Sequence, residues 1–221
     1  MGFWTKTNYF IKGIFSNYVW DIANNENKVY LTFDDGPTPK VTEWTLEQLK
    51  KHNAKATFFC IGNNIEEHSD IFQKIIEDGH ATGNHTFDHL NGWKTDNQEY
   101  FENIKDCTSS IFLNSRINKN QPTTDNRQLF RPPYGKIKPS QSKKLRALGY
   151  KIIMWDIISY DFNPETTPQN CLENVLLNVR SGSIIVFHDS VKAEQNLKYA
   201  LPKTLEFLQE KGFVCAKIEL D

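Results

Sequence analysis

The sequence predicts a single α/β domain whose strands are mostly parallel and curl toward a barrel. Three observations carry that prediction. Strand-like and helix-like runs alternate about seven times along 221 residues, as βαβ units require. Asp34, Asp35, His85, Arg131, Asp161 and His188 each stand just after a strand-like run, and parallel strands bring such ends to one face. Hydrophobic residues at 38% and charged residues at 24% are ordinary for a globular chain, so one core can be filled without a second domain.

The elements follow in order. Residues 1–27 form an aromatic arm, with Phe3, Trp4, Tyr9, Phe10, Phe15, Tyr18 and Trp20, expected to pack on the barrel. Contact with a membrane interface is the weaker reading of that arm. Lys6 and Lys12 interrupt what would be the apolar stretch of a secretory signal, and no run of about 18 apolar residues exists. A cytoplasmic location without a transmembrane helix is therefore expected.

Residues 29–37, VYLTFDDGP, read as a buried strand running into two adjacent carboxylates and a Gly-Pro turn. Neighbouring acids repel and lose hydration there, a cost relieved by a cation or a proton partner. An exposed Asp-Asp-Gly turn is the bland alternative. Residues 41–52 carry an apolar stripe at helical spacing, 55–62 a second strand, and 65–78 one helix stopped by Gly79. A third strand at 81–84 opens into 85–93, and a long polar helix covers 96–118. A surface loop at 119–127 precedes a strand and Pro-Pro turn at 129–135. Then come a helix at 140–148, a strand at 150–157, a helix at 168–180, a strand at 183–187, a helix at 197–211 and a last strand at 213–218.

The formal charge of −1, with Lys and Arg mixed among acids throughout, gives no electrostatic case for binding nucleic acid or an anionic membrane surface. Cys60, Cys107, Cys171 and Cys215 form no C-x-x-C pair, which argues against a cysteine metal site; a disulfide stays open. A monomer is expected.

His85 and His89 stand at i, i+4, which would place both rings on one side of a helical turn. With Asp35 they make a three-ligand zinc set with a coordination position left for water, although such pairs are also found in purely structural roles. Asp34 then remains as a base, kept ionised near Arg131, while His188 near Asp161 would hold its proton as an acid.

TFDDGP (32–37), HTFDH (85–89), RPPYG (131–135), WDIISYDF (155–162) and SIIVFHD (183–189) resemble, in order, the five motifs of the polysaccharide deacetylase (NodB homology) family, carbohydrate esterase family 4. The likeness spans about 28–220. It implies a deformed (β/α)7-type barrel, with 28–221 as the catalytic domain, and metal-dependent removal of acetyl groups from an acetylated carbohydrate. It implies Zn2+, with Co2+ and similar ions as substitutes. By position it makes Asp34 the base, His188 the acid, Arg131 and Asp161 their partners, and Asp35, His85 and His89 the metal ligands. Tyr134 would offer its backbone N–H to the oxyanion, and Pro133, Phe162, Trp155 and Val186 would also bind substrate, Phe162 in the wall of the acetyl pocket. Phe162 replaces a usual Trp, Ile158 an acid, and Val186 and Phe187 the usual leucines, so the substrate is not given. An N-deacetylase of peptidoglycan or chitin-like glycan is expected. The alternatives are a xylan O-acetyl esterase, a deacylase of a small acylated sugar, and a silent glycan-binding module.

Overall fold

The computed structural model describes residues 4–115 and 128–219. Strand β1 (Lys28–Asp34) is buried along nearly its whole length because both of its faces are covered. Val29, Leu31 and Phe33 join the core beneath the helices, whereas Tyr30 packs with the barrel-lining residues Phe59, Ile153 and Ile184. That alternation places Thr32 and Asp34 on the barrel side.

β2 (Ala56–Cys60) and β7 (Ile184–His188) flank β1 in parallel, with Phe59 and His188 both in register with Asp34. β3 (Ala81–Asn84), β4 (Leu129–Phe130), β5 (Lys151–Ile152) and β6 (Ile157–Ile158) complete a parallel sheet in the order β5-β4-β3-β2-β1-β7-β6. β8 (Val214–Cys215) pairs beside the start of β1. The result is the curled α/β barrel that the alternation predicted.

Helices α2 (Val41–Lys51), α5 (Asn97–Ser115), α6 (Pro139–Ala147), α7 (Pro168–Leu176) and α8 (Glu194–Glu210) lie close to their expected positions. Two expectations fail. The single helix at 65–78 is instead α3 (Gly62–Glu67) and α4 (Ser69–Glu77), divided at His68, whose backbone leaves the helical region. The strand at 150–157 is two short pieces. Ile153 N–H bonds to Phe130, but Met154 N–H turns to Val19 and Asp156 N–H to Ile184, so this segment crosses from one sheet edge to the other. β4 is short because the prolines that follow carry no N–H to continue the ladder.

The arm closes that seam. Its helix α1 (Tyr9–Ile14) is capped by Asn8, whose side chain accepts from Phe10 N–H at 2.8 Å. Val19 N–H donates to Ile152 at 2.9 Å, and Ile158 N–H donates to Thr5 at 2.9 Å, so the arm pairs with both β5 and β6. Lys12 reaches the fully buried Asp156 at 2.5 Å and also pairs with Asp21. Trp20 is buried, while Trp4, Tyr9, Phe10 and Phe15 remain exposed. The arm is thus held by backbone bonds and charge more than by its aromatics. Among the described residues no helix is long and apolar enough to cross a membrane, and the four cysteines are free.

Candidate active site

At the end of β1 the adjacent carboxylates diverge. Asp35 adopts φ +79°, a left-handed conformation rare outside glycine, which turns it away from Asp34. Asp34 Oδ1 accepts from Arg131 Nη1 at 2.7 Å. Arg131 is fully buried. Its Nη1 also donates to Thr32 Oγ1 at 2.7 Å, and Nε and Nη2 donate to the carbonyls of Ile153 and Met154. Burial works against its charge and Asp34 works to restore it.

Asp189 clamps this turn from behind. It accepts from Gly36 N–H at 3.1 Å and from the Thr42 hydroxyl at 2.5 Å, and its own N–H donates to the Asp34 carbonyl. A Cβ at Gly36 would lie 2.0 Å from an Asp189 oxygen, so only glycine fits. Burial raises the Asp189 carboxyl to about 7.

His85 and His89 do not share a helical turn. Residues 85–89 are an irregular loop in which Thr86 and His89 have φ +64° and +57°. A β-branched residue there is strained, and neighbouring amides hold it. Asn84 Oδ1 accepts from Thr86 N–H at 2.8 Å, while Asn103 on α5 accepts from Phe87 and Asp88 N–H. The rings still converge. His85 Nε2 and His89 Nε2 lie 3.6 and 3.2 Å from Asp35 Oδ1.

His85 Nδ1 lies 2.8 Å from the Arg131 carbonyl, so that nitrogen carries the proton and Nε2 presents a lone pair. Burial depresses His85 to about 4, which keeps it neutral. Burial opposes ionisation of Asp35, but the surrounding His89, His188 and His85 outweigh it and hold the carboxyl well below the usual range.

His188, at the end of β7, faces this cluster. Asp161 Oδ1 lies 2.8 Å from His188 Nδ1, and Oδ2 accepts from the His188 backbone N–H at 2.7 Å. Burial would lower the His188 pKa, yet the Asp161 charge and hydrogen bond raise it to about 9. Asn196 on α8 ties down the carbonyls of Asp161 and Thr166. Phe162 stands edge-on to the imidazole, ring centroids 4.7 Å apart.

Residues 21–153 match the family described as "Polysaccharide deacetylase". The chain belongs to that family. A peptidoglycan-N-acetylglucosamine deacetylase of Bacillus cereus is 30% identical over 198 residues, covering 88% of this chain and 87% of that one. A chitooligosaccharide deacetylase of Azorhizobium caulinodans is 32% identical, covering 87% and 93%. The crystal structure of the Bc1960 peptidoglycan N-acetylglucosamine deacetylase, in complex with an N-oxidanyl-benzamide, superposes with a TM-score of 0.80 at 32% identity over 94% of each chain.

Against the deacetylase motifs, the structure gathers Asp34, Asp35, His85, His89, Arg131, Asp161 and His188 at one end of the barrel. Tyr134 joins them: it has φ +60° in the tight turn Pro133–Gly135, and its ring lies 4.6 Å from that of His89. Pro133 is buried at the start of that turn. Trp155 packs beneath the turn, since a Cβ on Gly135 would meet its ring at 2.8 Å. Val186 is buried in register between Thr32 and Ile158, in the floor below His188. Phe187 points the other way and stacks on Phe33 in the helix-side core. The loop at 119–127 lies outside the described residues. The sequence assigns Asn84, Asn103 and Asn196 no role, and Asp189 none beyond its place in the 183–189 motif; all four are polar residues which the fold buries.

The donor set fits a divalent metal. One ligand atom each from Asp35, His85 and His89 lies within 4.8 Å of the others. Asp35 Oδ1 is buried yet has no hydrogen-bond partner, an orphan that a cation would satisfy. An aspartate with two neutral imidazoles leaves an open position in tetrahedral geometry.

Proposed function

We propose that this chain is a metal-dependent hydrolase that removes N-acetyl groups from a glycan containing N-acetylglucosamine, of the peptidoglycan or chitin type, with zinc on Asp35, His85 and His89. One observation carries the reading: Asp34 and His188 flank the ligand cluster in opposite environments. Asp34 is paired with the buried Arg131 guanidinium at 2.7 Å, and Asp161 beside His188 raises that imidazole to about 9. Groups whose surroundings set opposite protonation states are an acid–base pair. The names of the relatives supply the substrate class.

The bound ion would supply Lewis-acid polarisation of the acetamide carbonyl and the attacking water. The remaining work belongs to the chain. Asp34 accepts the proton of the water, and Arg131 fixes the carboxylate that receives it. The Tyr134 N–H serves the developing oxyanion. His188 delivers its proton to the departing nitrogen, so that an amine leaves with acetate as the other product. Phe162 supplies an apolar wall beside His188 for the acetyl methyl.

Acetate release from N-acetylglucosamine oligomers, peptidoglycan and acetylated xylan, with zinc and after chelation, tests the proposal. Zinc-dependent release from the amides is expected. Release from xylan alone would make the chain an O-acetyl esterase. Asp34→Asn should lower turnover at least about a hundredfold while zinc still binds, since a positioned base contributes on the order of 10²–10⁴. Full activity in that variant would overturn the assignment of the base.

A further inference from the structure

A second concavity of about 320 Å³ opens on the flank of the barrel, between the arm at Thr5 and α7. That volume is at the small end for ligand sites, suited to a sugar unit. Asn170, Glu173, Asn174 and Asn178 follow helical spacing along one stretch of the lining, and Tyr160 and Glu165 line it too. A solvated helix face would show such residues too, but here they are of two kinds.

Some are fixed as scaffold. The Asn174 amide donates to the Ser159 carbonyl at 3.0 Å, and the Asn178 amide donates to the Asn174 carbonyl. Others keep unused capacity. Among the described residues the Glu165 carboxylate and the Asn170 amide make no side-chain hydrogen bond, and Glu173 spends one oxygen on Gln169. Lys6, next to Thr5 in the arm, is turned into the Asn178 carbonyl and toward Asp156, and among the described residues neither glutamate forms an ion pair. One residue of its lining, Tyr160, connects it to the active site through ring contacts. The Tyr160 ring lies 5.8 Å from Phe162, which in turn abuts His188, so a line of aromatic rings leads from the proton donor to the mouth of the groove.

We propose that this groove is a glycan subsite for a deacetylated unit, a hydroxylated amino sugar whose ammonium pairs with Glu165 and Glu173. The inference rests on the deacetylase reading, because loss of an acetyl group leaves such an ammonium on the same glycan. Hydroxyls meet the amides and an ammonium meets the acids, whereas a phosphorylated or carboxylated sugar would meet repulsion.

Calorimetry on the full zinc-loaded chain tests it, with glucosamine tetramer and neutral maltotetraose as probes. E165Q/E173Q is the variant; both positions are exposed and the change keeps side-chain shape. The expected result is glucosamine tetramer binding that weakens about tenfold in the variant and at about 0.5 M salt, with maltotetraose the weaker ligand throughout. Equal affinity of wild type and variant for glucosamine tetramer, or equal affinity for the two probes, would overturn the subsite. In parallel, wild-type protein is given N-acetylglucosamine oligomers. No acetate from any of them would overturn the deacetylase reading; acetate release with unaltered binding in E165Q/E173Q would overturn the groove alone.

Discussion

Replacing Asp161 by Asn tests the link between geometry and chemistry most directly. Asp161 grips His188 at both the ring and the backbone, and its charge raises the imidazole from 6.5 to about 9. At roughly 1.4 kcal/mol per pH unit, that interaction stabilises the folded chain by about 3 kcal/mol. The sign follows from a raised folded pKa. The stabilisation is fully present below 6.5 and is lost as pH rises through about 9. Asparagine keeps the shape and removes the charge, so burial drives the His188 midpoint down from about 9 toward 6.5, opposed only by the Asp35 and Asp34 charges. At pH 7.5 the protonated fraction falls from about 97% toward about 10%. Turnover limited by the acid should drop by up to about tenfold there and recover toward acid pH, with the alkaline limb of the profile moved down by as much as about two pH units. The assay is NMR titration of the chelator-treated protein, in which six imidazoles must be resolved and His188→Gln identifies the signal. An unchanged His188 midpoint in Asp161→Asn would refute the reasoning.

Two further predictions concern the scaffold. Lys12→Met leaves the fully buried Asp156 with only Lys6 and Arg180, at 3.8 and 3.7 Å, as nearby cations. A stranded buried charge costs about 3–5 kcal/mol, so the thermal midpoint should fall by roughly 10 °C; a shift under about 2 °C would show that the arm carries no weight. Gly36→Ala drives a methyl into Asp189 and should weaken zinc binding about tenfold or more, read by chelator competition. Unaltered affinity would mean that the turn holding Asp35 is not fixed from behind.

Much of the fold was legible because β1 and β7 are continuous apolar runs ended by polar residues, and because Gly79 and Gly149 mark helix ends. The seam was not. Residues 150–157 look like one strand, but Met154 leaves Phe130's strand for Val19, a partner 135 positions earlier that local pattern does not reveal. The two histidines were found for an inexact reason. Spacing suggested a helical turn, whereas their convergence depends on strained backbone at Thr86 and His89 and on Asn103 from a distant helix. Among the described residues, five of the eight non-glycine residues with positive φ, namely Asp35, Thr86, His89, Tyr134 and Tyr160, cluster around the site, and nothing in a side chain's chemistry announces that. Supporting amides such as Asn84 and Asn196 bond over long sequence separations, which likewise escape periodicity.

The arm's path has a practical consequence for anyone building on this chain. The Trp4 carbonyl accepts from the Tyr160 hydroxyl, and Tyr160 is one residue from Asp161. Trp4 itself therefore lies beside the loop that carries Asp161, at the site's end of the barrel and not at the opposite pole. A bulky fusion placed there would compete with a long glycan for the same space, whereas a short flexible leader would not. Front-end extensions of different bulk should accordingly alter turnover of polymers more than turnover of dimers, which makes the front of the chain a handle on substrate length.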